Sequence, residues 1–593
     1  MVECGFVVVP EIHDNPTGPT IKIAVATFKD QSDERQPDPV MLLAGGPGEK
    51  TVHSAAAIAR LLALPHRDLI VFDQRGAGLS EPALECPEYV AAFFTHLNEP
   101  DSNVSLKAAF DSIVTCRDRL MNEGHNLSAY NTVQNAADVD DIRVALGYDK
   151  VNLYGGSYGS LLAQAVMRDH PDGIRSVAVN SVLPLEKSIF VQASLTTTSA
   201  IIRLLDTCAA DEACNTAYPD LRQELFEVID RLNLQPLPIT LTNPSDGQRY
   251  DAVLTGDGVV GNLVTFLYLT QIIPALPQAV HDLHAGDYGL VTELGSTRLA
   301  LIDLSTRGMM FSVLCSEDLI GRTREDLLRN IATLPRQLAG TGDPEVMAKY
   351  GIFGICDYWL DEEADAWVKN PLFSNIPTLI LEGEFDPVTP PEYGRLVADN
   401  LSNSYFFEFP GIGHDVLGSS ECARSIVVAF LDEPAKAPER SCIDAMPGVV
   451  FDVPGEQAPL ILERFADDER GFSGLVPVGW TELAPANLMR GSSALDLTYF
   501  VLEASTKSAS DLLASLAAQL AFDPDIEPIA TNEVGNFVWE FYSFERRGYP
   551  ADLVISEDNE KAYFILMLSS EEERPFMYEE LFLPALRAMA ALN

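Results

Sequence analysis

The sequence predicts an α/β fold with a mostly parallel sheet, a helical segment inserted into it, and a separate small α+β domain after it. Strand and helix patterns alternate through roughly the first third of the chain, and the strands are largely apolar without a polar–apolar alternation. Such strands are buried on both faces, as in a parallel sheet that helices cover on each side. The alternation returns over 377–431 after a long stretch of helical patterns, so we interpret that stretch as an insertion.

The predicted elements follow in chain order. Apolar runs predict strands at Phe6–Val9, Pro39–Leu43, Leu69–Phe72, Val151–Tyr154, Ile174–Val179, Pro377–Leu381 and Tyr405–Phe409. Helical spacing predicts helices at Asn135–Leu146, Leu161–Arg168, Tyr393–Leu401 and Ala423–Leu431. Gly147 ends the first of these helices, because glycine is the usual residue just past a helix C-terminus.

A chain of 593 residues exceeds what one hydrophobic core usually serves. We expect the α/β core to consist of 1–184 and 372–446, with a helical lid at 185–371 between them. Residues 447–459 have a linker composition, and 460–593 form the small α+β domain. Its predicted elements are Leu495–Glu503, Ala509–Leu520, Phe537–Phe544, Ala562–Leu568 and Leu581–Ala591. This domain has no His and no Cys, so it cannot build a Ser-His, Cys-His or His-ligated metal site alone.

The charge balance excludes several partners. Lys and Arg total 40 against 87 Asp and Glu, a formal net charge of −47. Phosphates repel such a surface, so we expect neither a nucleic acid nor an anionic membrane as partner. The longest uncharged stretch, Gly258–Val280, contains Asn262, Pro274 and Pro277, and we therefore predict a buried helix pair there rather than a membrane span.

Nine cysteines bear on the compartment. They fall into the sequence neighbours Cys86/Cys116, Cys208/Cys214, Cys315/Cys356 and Cys422/Cys442, with Cys4 left over. Pairing of neighbours is one connectivity among many, and a reduced cytosolic chain is the alternative. We favour disulfides, and hence a secreted, extracellular or cell-envelope protein. The chain opens directly into a strand-like run, which is typical of a mature chain without its signal peptide.

The strongest local motif is Gly155-Gly156-Ser157-Tyr158-Gly159. It follows a predicted strand and precedes a predicted helix, which is the context of a G-x-S-x-G nucleophile elbow. The turn is too sharp for side chains at the flanking positions, so glycines stand there and Ser157 projects from it. The helix N-terminus places N–H groups where negative charge develops. The alternative is a plain glycine-rich turn.

An elbow serine needs an acid and then a histidine further along the chain. Asp386 lies just past the predicted strand that ends at Leu381, and we favour it over the neighbouring Glu382 and Glu384. His414 follows the next strand in a glycine-rich loop, and no later histidine exists in the chain. These positions predict Ser157, Asp386 and His414 as a catalytic triad.

The loop Gly45-Gly46-Pro47-Gly48 also follows a predicted strand. Because it lacks side chains, its backbone can approach a substrate closely and supply half of an oxyanion hole. The adjoining Gly48-Glu49-Lys50-Thr51 half-resembles a phosphate-binding loop. That motif needs Gly and Lys adjacent, and Glu49 separates them and adds negative charge, so we set nucleotide binding aside.

Three motifs together resemble the prolyl iminopeptidase/tripeptidyl aminopeptidase family of α/β-hydrolases, in particular its secreted bacterial tripeptidyl-aminopeptidase-like branch. They are Ala44–Gly48, Asp73–Ser80 and Gly155–Gly159, and the resemblance covers about Glu3–Cys442. The sequence departs from it at Ala44, where relatives often have His, and at Glu49, where many have a small residue. The resemblance implies an α/β-hydrolase core with an inserted helical lid.

The resemblance also implies the roles of the site residues. Ser157 attacks the scissile carbonyl, His414 transfers its proton to the leaving amine, and Asp386 orients the imidazole. The N–H groups of Tyr158 and of Gly46 or Gly45 stabilise the oxyanion. Asp73 and Arg75 brace the neighbouring loop, and neither reacts.

An aminopeptidase must bind a free α-ammonium group, and a lid carboxylate can do so. The segment Met309–Asp318 resembles a lid segment of the same branch, and Glu317 is our candidate. A surface acid is the alternative. His281 and His284 have helical spacing but no third ligand nearby, so we predict solvated helix residues there rather than a zinc site. We expect no cofactor and no metal.

The tail from Gly471 onward faintly resembles the small PsbP-type α+β domains, which says nothing about function or partner. For the whole chain we expect a serine exopeptidase that releases short peptides or single residues from free N-termini. A carboxylesterase or amidase with the same triad, acting on a small ester or amide, is the first alternative. A non-catalytic binding protein on a hydrolase scaffold is the second.

Overall fold

The computed structural model describes residues 2–591 apart from 63, 340–342, 361–363, 454–459, 468–469, 479, 485, 491–497, 521, 547–548, 559–560 and 572. Part of the predicted linker and the start of the predicted strand at Leu495 therefore lie outside the described residues. The chain divides into two compact units, 1–452 and 453–593.

An eight-stranded sheet forms the centre of the first unit. Its strands in chain order are β1 (Val2–Pro10), β2 (Thr20–Phe28), β3 (Val40–Leu43), β4 (Leu69–Phe72), β5 (Val151–Gly156), β6 (Ile174–Asn180), β9 (Thr378–Gly383) and β10 (Ser404–Phe409). A separate antiparallel hairpin consists of β7 (Leu237–Thr242) and β8 (Arg249–Leu254).

The spatial order of the sheet is β1-β2-β4-β3-β5-β6-β9-β10. The strands β1, β2 and β4 pair antiparallel, and every neighbouring pair from β4 to β10 is parallel. The mostly parallel sheet predicted from the apolar runs is thus confirmed. Parallel strands carry their following loops at the same edge, so the loops after β3, β5, β9 and β10 meet there.

Helices cover both faces of the sheet, and their apolar sides form its core. Those of the α/β part are α1 (Ala55–Leu62), α2 (Pro87–Thr95), α3 (Ser102–Asn122), α4 (Thr132–Ala145), α5 (Tyr158–Asp169), α16 (Pro391–Asn400), α17 (Val416–Ser419), α18 (Glu421–Asp432) and α19 (Ser441–Asp444). Each helix predicted from periodicity in this part is present.

The chain between β6 and β9 is mainly helical, as the sequence predicts. It contains α6 (Ile189–Ala210), α7 (Glu212–Ala217), α8 (Leu221–Leu234), α9 (Gly256–Tyr268), α10 (Leu276–Ala285), α11 (Gly289–Leu301), α12 (Arg307–Val313), α13 (Arg324–Ile331), α14 (Pro344–Tyr350) and α15 (Ile352–Trp359). The uncharged stretch Gly258–Val280 contributes to α9 and α10. None of the helices in the described part of the chain combines the length and apolar character that a bilayer crossing requires.

Four disulfides tie the first unit together: Cys86–Cys116, Cys208–Cys214, Cys315–Cys356 and Cys422–Cys442. Of the connectivities that the sequence left open, the structure has the neighbour-with-neighbour one, and the expectation of disulfides is confirmed. Cys4 is free and exposed. Disulfides persist in oxidising compartments, so these four fit a secreted or envelope protein.

The second unit is rich in strands. A three-stranded sheet contains β11 (Leu462–Asp467), β12 (Phe472–Pro477) and β20 (Ala590–Ala591). A seven-stranded antiparallel sheet contains β13 (Thr481–Ala484), β14 (Asn487–Met489), β15 (Tyr499–Ser505), β16 (Ala530–Val534), β17 (Phe537–Arg546), β18 (Tyr549–Glu557) and β19 (Ala562–Leu568). Its helices are α20 (Ala509–Leu520), α21 (Arg574–Met577) and α22 (Leu583–Ala588).

The end of this unit differs from the sequence prediction. Periodicity predicts a helix to Ala591, whereas α22 ends at Ala588 and Met589 is extended. Ala590 and Ala591 then pair with Ser473 and Phe472 of β12. The pairing gives these backbone groups partners from a distant strand, which a local pattern cannot show.

A buried ion pair fixes the loop after β4 next to the site edge. The Arg75 guanidinium is fully buried, and its Nε and Nη2 donate to Asp138 at 2.8 and 2.6 Å. Its Nη1 donates to the carbonyl oxygens of Glu11 and Ala129 at 2.7 Å. The prediction that Arg75 braces this loop agrees with these contacts.

Removal of one partner of this ion pair is expected to destabilise the first unit strongly. Asp138→Ala leaves the Arg75 charge buried without a carboxylate, which costs about 3–5 kcal/mol of unfolding free energy. Asp111→Ala, which breaks the exposed Lys107–Asp111 pair, is the matched control and costs under about 1 kcal/mol. Urea unfolding of both variants checks the difference, and equal losses would contradict a bracing role.

Candidate active site

Ser157 lies in the sharp turn that joins β5 to α5. Its backbone has φ 55° and ψ −125°, and its N–H donates to the carbonyl of Asn180, the last residue of β6, at 3.1 Å. A positive φ at a non-glycine residue is uncommon and strained, and it persists where the surroundings enforce it. Strain of this kind is typical of a nucleophile elbow.

The glycines beside the serine are required by close backbone packing. A Cβ on Gly155 would lie 2.3 Å from the Gly159 carbonyl oxygen, and a Cβ on Gly159 would lie 2.0 Å from the Leu43 carbonyl oxygen. Both distances are far below van der Waals contact, so a side chain at Gly155 would clash with the first turn of α5 and one at Gly159 would clash with the end of β3. The structure therefore gives the physical reason for the G-x-S-x-G pattern.

Asp386 and His414 are in direct contact. Asp386 Oδ2 lies 2.7 Å from His414 Nδ1, and both side chains are buried. Asp386 Oδ1 also accepts the N–H groups of Val388 and Thr389 at 2.9 and 2.8 Å, and the Thr389 hydroxyl donates to Oδ2 at 2.8 Å. The carboxylate is thus fixed from several directions, and its remaining strong acceptor site faces the imidazole.

The contact shifts both pKa values. Burial opposes the charged form of Asp386, but the His414 charge and the hydrogen bonds to Asp386 prevail and hold the pKa of its carboxyl below the ordinary value. Burial likewise opposes the imidazolium of His414, but Asp386, helped by Asp415 and Glu49, raises the pKa of His414 above its ordinary value. The pair stabilises a positive charge on the imidazole.

Residues of the inserted helical segment contact the histidine loop. The Tyr268 ring lies over the His414 ring with centroids 4.3 Å apart. The Thr270 hydroxyl accepts the Gly413 N–H at 3.0 Å, and a Cβ on Gly413 would lie 2.1 Å from the Leu267 carbonyl oxygen. The end of α9 and the residues just after it therefore hold the histidine loop in place.

The structure brings Ser157 and His414 to the same edge of the sheet without a direct bond. Asp415, next to His414, donates its N–H to the hydroxyl of Ser181, just after β6, at 3.1 Å. The Ser157 N–H donates to the carbonyl of Asn180, the last residue of β6. Within the described residues, no hydrogen bond joins the Ser157 hydroxyl to the imidazole. Such bonds are often long in unliganded enzymes and shorten when substrate binds.

The predicted oxyanion donors have different surroundings. Tyr158 is the first residue of α5, where a backbone N–H has no partner within the helix. Gly46 has φ 105°, a conformation that favours glycine. The Gly45 N–H, in contrast, donates to Glu49 Oε2 at 3.1 Å. Of the three predicted donors, the Gly45 N–H is thus the one that already has an acceptor within the described residues.

Asp73 binds the neighbouring loops together. Its Oδ1 accepts the N–H groups of Thr51 and Val52 at 2.7 and 3.0 Å, and its Oδ2 accepts that of Leu79 at 2.7 Å. These contacts connect the chain after the Gly45–Gly48 loop to the loop after β4. They agree with the bracing role predicted from the sequence.

Glu317 lies in a π-helical turn, Leu314–Asp318, that follows α12. It is 6% exposed, and its Oε1 accepts the Thr132 N–H at the start of α4. Burial raises the pKa of its carboxyl. The predicted α-ammonium ligand is thus an enclosed side chain with a backbone partner, rather than a surface acid.

Glu49 is a residue of the site that sequence reasoning noticed only as a departure from known motifs. It is partly buried, and burial raises the pKa of its carboxyl. The charge of Asp415 also raises the pKa of Glu49 and that of His414 lowers it, while Glu49 in turn raises the pKa of His414. The signal that could have identified it was its position directly after the Gly45–Gly48 loop.

The histidine pair of α10 has protein partners. His281 Nδ1 lies 3.0 Å from Glu224 Oε2, and His284 Nε2 lies 3.0 Å from Glu227 Oε2. Among the described residues, one group of side chains has ligand atoms close enough to share a metal ion, namely Cys86, Glu88 and Cys116. Since these two cysteines form a disulfide, they have no thiolate for a metal.

Comparison with known proteins agrees with this geometry. Residues 38–203 match the family model of the alpha/beta hydrolase fold, and residues 345–442 match that of the TAP-like protein family. These matches agree with the mostly parallel sheet of the first unit, and the chain has the α/β hydrolase fold.

Relatives of the chain include proteins named as a serine protease, a tripeptidyl aminopeptidase and a carboxylesterase. The chain is 24% identical over 465 residues to the serine protease Hip1 of Mycobacterium tuberculosis, covering 72% of this chain and 84% of that protein. It is 30% identical over 206 residues to tripeptidyl aminopeptidase of Streptomyces lividans, covering 33% and 38% of the two chains. The crystal structure of a proline iminopeptidase of Mycobacterium smegmatis aligns with 73% of this chain and 99% of its own at a TM-score of 0.36 and 16% identity. The resemblance to the prolyl iminopeptidase/tripeptidyl aminopeptidase family is confirmed; the PsbP-like resemblance of the tail stays a prediction.

Proposed function

We propose that the protein is a serine exopeptidase that releases short peptides or single residues from free peptide N-termini. The observation that carries the proposal is the buried contact of 2.7 Å between Asp386 and His414, at the sheet edge where strained Ser157 opens α5. The serine protease and tripeptidyl aminopeptidase among the relatives support a peptide substrate. The four disulfides support a secreted or envelope location.

In the proposed mechanism His414 Nε2 accepts the Ser157 hydroxyl proton as the serine oxygen attacks the scissile carbonyl. The Nδ1–H of His414 donates to Asp386, which fixes the tautomer that leaves Nε2 free to accept. The imidazolium then donates its proton to the leaving amine, and an acyl-enzyme forms on Ser157. Water attacks this ester with His414 again as the base, and the released peptide leaves a free serine.

Negative charge on the carbonyl oxygen is stabilised by the N–H groups of Gly46 and Tyr158. Each donor of this kind lowers the barrier by about 3 kcal/mol, because it is oriented before the reaction begins. We also propose that the helical segment 185–371 acts as a lid over this edge, since the end of α9 contacts the histidine loop.

A panel of arylamides tests the proposed function. Free-amine prolyl, Ala-Ala-Pro and Ala-Ala-Ala arylamides are compared with their N-acetyl forms and with a p-nitrophenyl ester. An exopeptidase is expected to hydrolyse the free amines with kcat/KM at least 10²-fold above the acetylated forms. This ratio corresponds to a difference of about 2.7 kcal/mol in transition-state stabilisation. Turnover of the ester alone would contradict a peptidase and indicate an esterase with the same triad.

A further inference from the structure

A carboxylate without an assigned role lies beside the nucleophile. Glu49 Oε2 accepts the Gly45 N–H at 3.1 Å. A Cβ placed on Gly45 would lie 3.2 Å from Glu49 Oε2 and 3.4 Å from Ser157 Cβ, so a single methyl group there would contact both residues. The carboxylate is therefore a near neighbour of the serine on the oxyanion-hole side.

The backbone around Glu49 is held by the segment that precedes α12. The Thr306 N–H donates to the Gly48 carbonyl at 2.8 Å, and the Lys50 N–H donates to the Leu304 carbonyl at 3.0 Å. Glu49 itself forms a backbone bridge with Ser305. The acid thus lies where the loop after β3 meets the segment that precedes α12. Because its backbone is held here and its carboxylate accepts the Gly45 N–H, the Glu49 side chain loses little conformational entropy when a ligand binds to it.

Glu49 has no cationic partner within ion-pair distance among the described residues. Lys50, the nearest base in sequence, instead lies 3.1 Å from both Glu85 and Asp303. Two charged groups act on Glu49 from the histidine loop, the imidazole of His414 and the carboxylate of Asp415. A partly buried carboxylate with one neutral donor is poorly compensated, and a cation placed against it would be favoured.

We propose that the Glu49 carboxylate binds the α-ammonium group of the residue that the enzyme releases. This inference rests on the proposed exopeptidase function and names its substrate class, a peptide whose free amino-terminal residue is itself the acyl group. The α-nitrogen of that residue is two bonds from the attacked carbonyl carbon, which must come to the Ser157 oxygen. An amino terminus two residues further away would lie about 7 Å beyond this position.

Matched substrates separate this role from others. Alanyl and propionyl arylamides differ only in the α-ammonium group, and Ala-Ala-Ala arylamide moves that group away from the serine. The wild type is expected to prefer the alanyl substrate over the propionyl one by 10²-fold or more in kcat/KM. Glu49→Gln is expected to remove most of this preference, measured as the ratio of alanyl to propionyl kcat/KM. Both substrates use His414, so a change in the pKa of His414 cancels in this ratio. Glu49→Asp, which keeps the charge, is expected to restore part of it.

Glu317→Gln is the control for the other candidate carboxylate, and thermal unfolding of each variant reports whether it folds. An equal loss on the alanyl and propionyl substrates in Glu49→Gln would overturn the inference, since Glu49 would then act on His414 instead. A preference that is lost in Glu317→Gln and kept in Glu49→Gln would also overturn it. In both cases the exopeptidase proposal stands. A wild type that releases only tripeptides overturns the single-residue assignment, and one that hydrolyses only esters contradicts the proposed function itself.

Discussion

Ser157→Ala is expected to lower kcat by about 10⁴- to 10⁶-fold for every substrate that the enzyme hydrolyses. The alanine removes the only atom that forms the acyl-enzyme, while the oxyanion donors and the binding surface remain. Residual turnover above the uncatalysed rate is expected from those groups alone. Steady-state kinetics measure the loss, with enzyme pure enough that a contaminating hydrolase does not account for the residual rate.

The variant must retain its fold for this result to count. The Ser157 hydroxyl lies at a helix start, and its N–H, which bonds to Asn180, is unchanged by the substitution. We therefore expect the midpoint of thermal unfolding to stay within a few degrees of the wild type. Ser128→Ala, at an exposed serine, is the matched control and should keep full activity. Activity of Ser157→Ala within tenfold of the wild type would contradict Ser157 as the nucleophile.

Asp386→Asn is expected to lower kcat by about 10⁴-fold near neutral pH. The amide is nearly isosteric, so the loss reports charge and tautomer rather than shape. An asparagine NH₂ group facing Nδ1 would favour the imidazole tautomer with its proton on Nε2, which cannot accept the serine proton. The Thr389 and Val388 N–H groups that fix Asp386 would also lose a charged acceptor.

The pH profile gives this prediction a second readout. The general base must be neutral, so kcat/KM rises with pH through the pKa of His414 and then reaches a plateau. Since Asp386, Asp415 and Glu49 together raise that pKa against the effect of burial, the midpoint of the wild-type acid limb is expected above 6.5. Asp386→Asn removes the charge that raises the pKa of His414 most, whereas burial still lowers it. The midpoint of the acid limb should therefore move to lower pH. An unchanged midpoint would contradict the assignment of Asp386 as the partner of His414.

The parts of the fold that sequence predicts well are those dictated by local sterics and burial. The Gly155–Gly159 motif predicts its turn because no side chain fits at Gly155 against Gly159, or at Gly159 against Leu43. The strands of the parallel sheet are mainly apolar and almost entirely buried, since both faces are covered. Their order along the chain then places the loops that carry Ser157, Asp386 and His414 at one edge.

Features that depend on distant contacts were not visible in the sequence. Burial of Glu317 results from packing of the lid against the start of α4, and its backbone partner Thr132 is far away in sequence. The contact between Glu49 and the Gly45 N–H needs the loop conformation itself. The end of the last helix is set by pairing with β12. In each case the deciding partner lies outside the local pattern.

Intact-mass and peptide-mass analysis after treatment with a fluorophosphonate tests the central claim most directly. This reagent forms a stable adduct with an activated serine, and only a serine beside a neutral imidazole reacts quickly. We expect one adduct per chain, located on the peptide that contains Ser157, in parallel with loss of arylamide hydrolysis, and none in His414→Ala. An adduct on another serine, or full labelling of Ser157 with hydrolysis intact, would contradict the mechanism.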